Sequence, residues 1–146
     1  MKTLMGVIAV SVAVLAIGGC SSSGDDEFSA RSGTQQYESA QSIADDLEAA
    51  GFDCKDFKKD AVTTYSADAG RCFLEDREIV LSVFTSESML DQNIASTLGI
   101  SEPVRAQYGF LVGSKWMINC GDTTTKHTCK DIKEQLGGRI VKPINY

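Results

Sequence analysis

The first twenty residues decide what the rest of this chain can become. Lys2 is followed by an almost unbroken apolar run at residues 4–17, which ends in Gly18-Gly19-Cys20. That run is shorter than the about 20 residues needed to span ~30 Å of hydrocarbon, and no basic cluster follows it to stop transfer. Residues 1–19 therefore read as a signal peptide, and a chain that is exported folds under oxidising conditions. The cysteines agree with export: five are present, and beyond Cys20 there remain Cys54, Cys72, Cys120 and Cys129. An even number in a small exported domain reads as two disulfides, with three connectivities open. Pairing by locality favours Cys54–Cys72 with Cys120–Cys129, each stabilising by about 3 kcal/mol through a short closed loop. A zinc site built from all four thiolates is the competing reading, but the spacing contains no C-x-x-C pair. A redox-active pair lacks the same motif.

Ile17-Gly18-Gly19-Cys20 resembles the lipobox of bacterial lipoproteins: aliphatic, small, small, cysteine. The resemblance implies a diacylglyceryl group on the Cys20 thiol, acyl chains of the palmitate type, and cleavage that leaves Cys20 as the new N-terminus. It places the chain on the outer face of the bacterial cell membrane, with the membrane itself as its first partner. An ordinary secretory site favours a small residue three positions before the cut, and Ile17 stands there.

Removal of residues 1–19 leaves 127 residues, enough for one small domain. The formal charge of −6 becomes −7, because Lys2 leaves and no acid goes with it. Such a chain repels phosphate backbones and anionic headgroups, which argues against nucleic-acid binding and against lying flat on a bilayer. The acids are scattered without EF-hand spacing, so no metal and no cofactor is expected. Residues 21–36 are mostly Ser, Gly, Asp, Glu and Gln, with Phe28 the bulky exception. Together with Cys20 they read as a tether over residues 20–36, about 20–25 Å across as a coil, with a single domain over 37–146.

Within that domain, Ser39 or Ser42 can cap a helix whose apolar positions Ala40, Ile43, Ala44, Leu47 and Ala50 recur at helical spacing up to Gly51. Residues 52–57 read as a short extended or irregular piece, and 58–70 as a loop that admits a short strand at 61–65. Residues 71–74 and 78–84 flank Glu75-Asp76-Arg77 as a hairpin. The second arm is apolar on both faces and so belongs at the centre of a sheet or under cover on both sides. Ser86 can cap a second helix over 87–98, with Leu90, Ile94 and Leu98 spaced by four and Gly99 as the stop. A second hairpin pairs 109–112 with 115–119 across Gly113-Ser114. A last helix over 128–136 ends at Gly137-Gly138, and 139–141 suits an edge strand. The order predicts an α+β domain: an antiparallel sheet of about four or five strands, with two or three helices packed on one face.

This layout resembles a group of small exported lipoproteins of actinobacteria. The matching residues are Gly51 to Cys54, Gly70 to Cys72, Ile79 to Phe84, Gly113 to Trp116 and Leu136 to Gly138. The resemblance implies a compact, disulfide-bonded domain at the outer cell surface, and no catalytic residue comes with it.

Candidate chemistry is sparse. His127 is the single histidine, set among Thr123, Thr124, Thr125, Lys126 and Thr128, and no Gly-x-Ser-x-Gly elbow, His-Glu-x-x-His or P-loop accompanies it. Trp116 is expected in the core, with a ligand platform as the competing reading. The polar loop at 121–128 is either a recognition loop or a plain surface loop. The expectation is a non-enzymatic, membrane-anchored binding or accessory module of the envelope, with a protein or small-ligand partner. The alternatives are a small extracytoplasmic hydrolase using His127 and a phage-encoded exclusion lipoprotein.

Overall fold

The computed structural model describes residues 27–98, 109–121 and 128–141. Six strands form one antiparallel sheet: β1 (Cys54–Lys59), β2 (Asp68–Leu74), β3 (Arg77–Val83), β4 (Phe110–Val112), β5 (Trp116–Asn119) and β6 (Arg139–Val141). Their spatial order is β1-β2-β3-β5-β4-β6. Among the described residues three helices pack on the sheet: α1 (Ala40–Ala49), α2 (Glu87–Leu98) and α3 (Thr128–Leu136). The α+β class holds, with six strands where four or five were expected.

The apolar alternation of β3 explains the layering. Ile79, Leu81 and Val83 join one buried cluster with Ile43 and Leu47 of α1, Trp116 and Ile118 of β5, and Ile132 and Leu136 of α3. Phe84, at the end of the same strand, joins a second cluster with Leu90 and Ile94 of α2, Phe110, Val112 and Met117. A strand that is apolar on both faces needs cover on both faces. So α1 and α3 pack side by side on one face, α1 over β1 to β3 and α3 over β4 and β6. Helix α2 closes the other face.

The helices begin and end where local chemistry requires. Ser39 caps α1 in a reciprocal box with Ser42 (Ser42 N–H to Ser39 Oγ 3.2 Å, Ser39 N–H to Ser42 Oγ 3.1 Å). Gly51 then takes the left-handed conformation (φ 91°) that ends the helix. Ser86 Oγ accepts the Met89 N–H at 3.2 Å at the start of α2.

Three local features depart from the expected layout. Residues 54–59, read as a short extended or irregular piece running into a loop at 58, form strand β1 with a bulge between Lys55 and Lys58. The bulge, with Asp56 at φ 54°, turns Phe57 onto the core face, where its ring lies over Gly70. A Cβ at Gly70 would stand 2.6 Å from that ring. No strand forms at 61–65. The second hairpin turns one residue later than expected: Gly113 N–H bonds the Trp116 carbonyl at 3.0 Å, so Ser114-Lys115 is the two-residue turn and Lys115 takes φ 59°. The physical reason is Trp116. Its indole lies against Gly113 so closely that any Cβ there would overlap the ring.

Both disulfides follow the local pairing. Cys54–Cys72 ties β1 to β2, and Cys120–Cys129 ties the end of β5 to the first turn of α3, each with a Cα–Cα distance of 5.4 Å. Paired sulfurs leave no four-thiolate zinc site. The sequence separations are 18 and 9 residues. Loop-closure entropy then predicts that replacing Cys54 and Cys72 by alanine costs about 3 kcal/mol, and replacing Cys120 and Cys129 about 2.5 kcal/mol. Urea unfolding of the two double variants checks both the size and the order.

Candidate functional site

The segment at 28–37 is built into the domain. It runs as a strap between α1 and α3, and its hold begins with the main chain. Arg31 N–H donates to the Gln135 carbonyl at 2.6 Å, Ser114 N–H donates to the Gly33 carbonyl at 2.9 Å, and Trp116 Nε1–H donates to the Gln35 carbonyl at 3.1 Å. Gln35 Nε2 returns a bond to the Leu136 carbonyl at 2.9 Å. Phe28 packs against the α1–α3 cluster, and the Arg31 guanidinium lies 5.4 Å from its ring centre. The backbones touch where Gly33 meets Gly137 and Gly138. All three have positive φ (87°, 70° and 89°), and a Cβ on Gly33 or Gly137 would overlap the facing chain.

A buried carboxylate fastens the strap. Asp46, on α1 and 8% exposed, accepts a bond from Arg31 Nε at 2.7 Å and another from the Tyr37 hydroxyl at 2.6 Å. Arg31 reaches it with a second guanidinium nitrogen, giving the bidentate fork that suits a carboxylate. Burial, then the bond to Asp46, push the Tyr37 hydroxyl far above its ordinary range, so it stays protonated. The Tyr37 ring meets Trp116 edge to face at 5.6 Å between centres. Gln35 Oε1 is buried without a hydrogen-bond partner among the described residues, which leaves the strap one imperfect seat.

Where the strap joins α1, Asp68 on β2 receives the Ala40 N–H at 2.9 Å and Lys59 Nζ at 2.7 Å. Burial alone would raise this carboxyl, but the bonds from Lys59 and from the helix amide outweigh it and hold it below its ordinary value.

The other end of the domain carries a cleft of about 520 Å³. Its walls come from the α1–β1 connection, the start of β1, the β2–β3 turn and the first turn of α3. Phe52 and Leu74 supply apolar surface, Asp53, Glu75 and Asp131 supply negative charge, and Lys55 and Arg77 supply positive charge. Arg77 Nη1 donates to Thr128 Oγ1 at 3.0 Å, joining the hairpin to α3. Each disulfide contributes a neighbour to the lining: Cys54 lies between Asp53 and Lys55, and Cys129 follows Thr128.

The candidates named from sequence separate clearly. Trp116 is fully buried, so it is a core residue and not a ligand platform; its polar edge is consumed by the Gln35 carbonyl. Cys20 and His127 lie outside the described residues, as does most of the loop at 121–128. Residues 20–26 of the expected tether also lie outside, whereas 28–36 belong to the folded body, which therefore starts before Tyr37. The composition of 28–36 gives no sign of this. The sign lies across the fold, in Gly137-Gly138 and in a buried Asp46 on the core side of α1. Among the described residues, no group of His, Cys, Asp or Glu is placed to hold a metal ion, and no helix is long and apolar enough to cross a membrane. No protein-family model matches the chain, and neither a curated protein nor a solved structure is significantly similar to it.

Asp46→Ala strands Arg31 and Tyr37 together. It is expected to cost about 2 kcal/mol, since Arg31 remains partly solvated, and to red-shift Trp116 fluorescence as the strap loosens. Hydrogen exchange at Arg31 and Ser114, compared with wild type, locates the loss. Asp68 gives a pH test. Its folded value is depressed, so its contribution is present above the ordinary aspartate value (~3.9) and is lost as the pH falls through the folded value. Asp68→Asn should therefore flatten the stability profile below the ordinary aspartate value of ~3.9, measured by urea unfolding at each pH.

Proposed function

We propose that this chain is a lipid-anchored binding module on the outer face of a bacterial cell membrane. Ile17-Gly18-Gly19-Cys20 provides the lipidation site, and the two disulfides suit an oxidising, extracytoplasmic setting. The observation that carries the reading is the strap. The folded body begins at Phe28, eight residues after Cys20, so the leash between lipid and domain is at most about 30 Å when fully extended. A module on so short a leash is confined to a thin layer above the bilayer, which raises its effective concentration toward partners in that layer. Its working surface is the cleft beside the disulfides, which is concave, mixed in polarity and assembled from four separate segments. The resemblance of Gly51 to Cys54, Gly70 to Cys72 and Gly113 to Trp116 to the pattern of small exported actinobacterial lipoproteins agrees with the same setting.

The test has two parts. The intact mass of the membrane-extracted protein is expected to correspond to a chain starting at Cys20 plus acyl chains, and Cys20→Ala is expected to move the protein out of the membrane fraction. A mass that starts at Met1 overturns the anchor. In-cell crosslinking of the anchored protein, with Cys20→Ala as control, is expected to return one reproducible envelope partner or a cleft-bound small molecule.

A further inference from the structure

The cleft is more constrained than a surface dent. Glu75, at its rim, sits at φ 54° in the β2–β3 turn, a left-handed conformation that holds its side chain at the mouth of the cleft. The opposite wall is fixed by covalent chemistry, because Lys55 follows the disulfide-bonded Cys54. Lys55 pairs with Asp53 at 3.2 Å, but the two side chains are 60% and 72% exposed. So exposed a pair contributes little and exchanges readily for a ligand's charges.

The lining also limits what can bind. A simple anion would meet Asp53, Glu75 and Asp131, and a simple cation would meet Lys55 and Arg77. A neutral apolar molecule would cover Phe52 and Leu74 but desolvate the charged rim without replacing its water. A molecule with both charges and an apolar side chain answers all three parts, and about 520 Å³ falls in the ~300–1,000 Å³ range of small-molecule sites.

We propose that the cleft binds a small zwitterion of the amino-acid or short-peptide class, with its carboxylate toward Lys55 and Arg77, its ammonium toward Asp53 and Glu75, and its side chain on Phe52 and Leu74. This deepens, and rests on, the reading of the chain as a binding module.

The experiment is an NMR titration of the ¹⁵N-labelled full chain, extracted from membranes in detergent, with the dipeptide Leu-Leu. Free Leu-Leu is expected to shift amides at 51–55, 74–77 and 128–131. N-acetyl-Leu-Leu and Leu-Leu-amide are each expected to bind at least tenfold more weakly. Lys55→Glu, on an exposed side chain that folding does not need, is expected to lose at least tenfold, and Glu75→Gln to lose affinity for the free dipeptide but not for its N-acetyl form. No shift at about 10 mM Leu-Leu, shifts elsewhere on the domain, or equal binding of the blocked dipeptides overturns the proposal. Intact mass on the same sample keeps the two readings apart. A lipidated chain that ignores the dipeptide sinks the ligand class alone, and a chain that binds it without lipid sinks the anchor alone.

Discussion

Trp116 sets the terms for much of this fold. An indole buried on a short strand needs room, a hydrogen-bond acceptor and a cover, and each is supplied from a different part of the chain. Gly113 gives the room, at the expense of moving the hairpin turn onto Lys115. The Gln35 carbonyl accepts the indole N–H, and the Tyr37 ring closes over the side. Because the acceptor and the cover both belong to the strap, the strap must lie between α1 and α3. Asp46 then has to be buried beneath Arg31 and Tyr37 to hold it there. One aromatic side chain therefore draws ten residues of polar composition into the folded body.

The same logic accounts for the glycines. Gly70 yields to the Phe57 ring, Gly113 to the Trp116 indole, and Gly137 to the backbone of the strap. Gly51 ends α1 in a conformation that a Cβ would strain. These positions overlap the spaced pattern Gly51 to Cys54, Gly70 to Cys72, Gly113 to Trp116 and Leu136 to Gly138, so that pattern records close approaches in one packed body.

How much was legible in the sequence follows from the range of the forces involved. Helices α1 and α2 and the two hairpins depend on capping residues and on apolar spacing within a dozen positions, and they form where that spacing puts them, with each hairpin turn displaced or shortened by one residue. The double-faced apolar run of β3 announced a strand covered on both sides. What escaped was long-range. Strand β1 reads as irregular because its bulge breaks the alternation, and the bulge makes sense only beside Gly70. The strap reads as a tether because its main-chain bonds go to residues about a hundred positions away, such as Arg31 to Gln135. The cleft is assembled from four segments whose meeting depends on two disulfides, which pair by locality, and on the sheet order, which is not written in local pattern.

The strap also fixes how the domain bears load. A pull on the residues before Phe28 reaches the body through Arg31, Gly33, Gln35 and Tyr37, and so through hydrogen bonds and one ion-paired fork. Only after these part does tension reach α1 and the sheet, where the covalent bond from Cys54 to Cys72 restrains further extension. The fold thus has a sacrificial outer layer. Tugging at the residues before Phe28 would lengthen the chain by up to the strap's own contour, about 35 Å for ten residues, before disturbing the cleft at the far end.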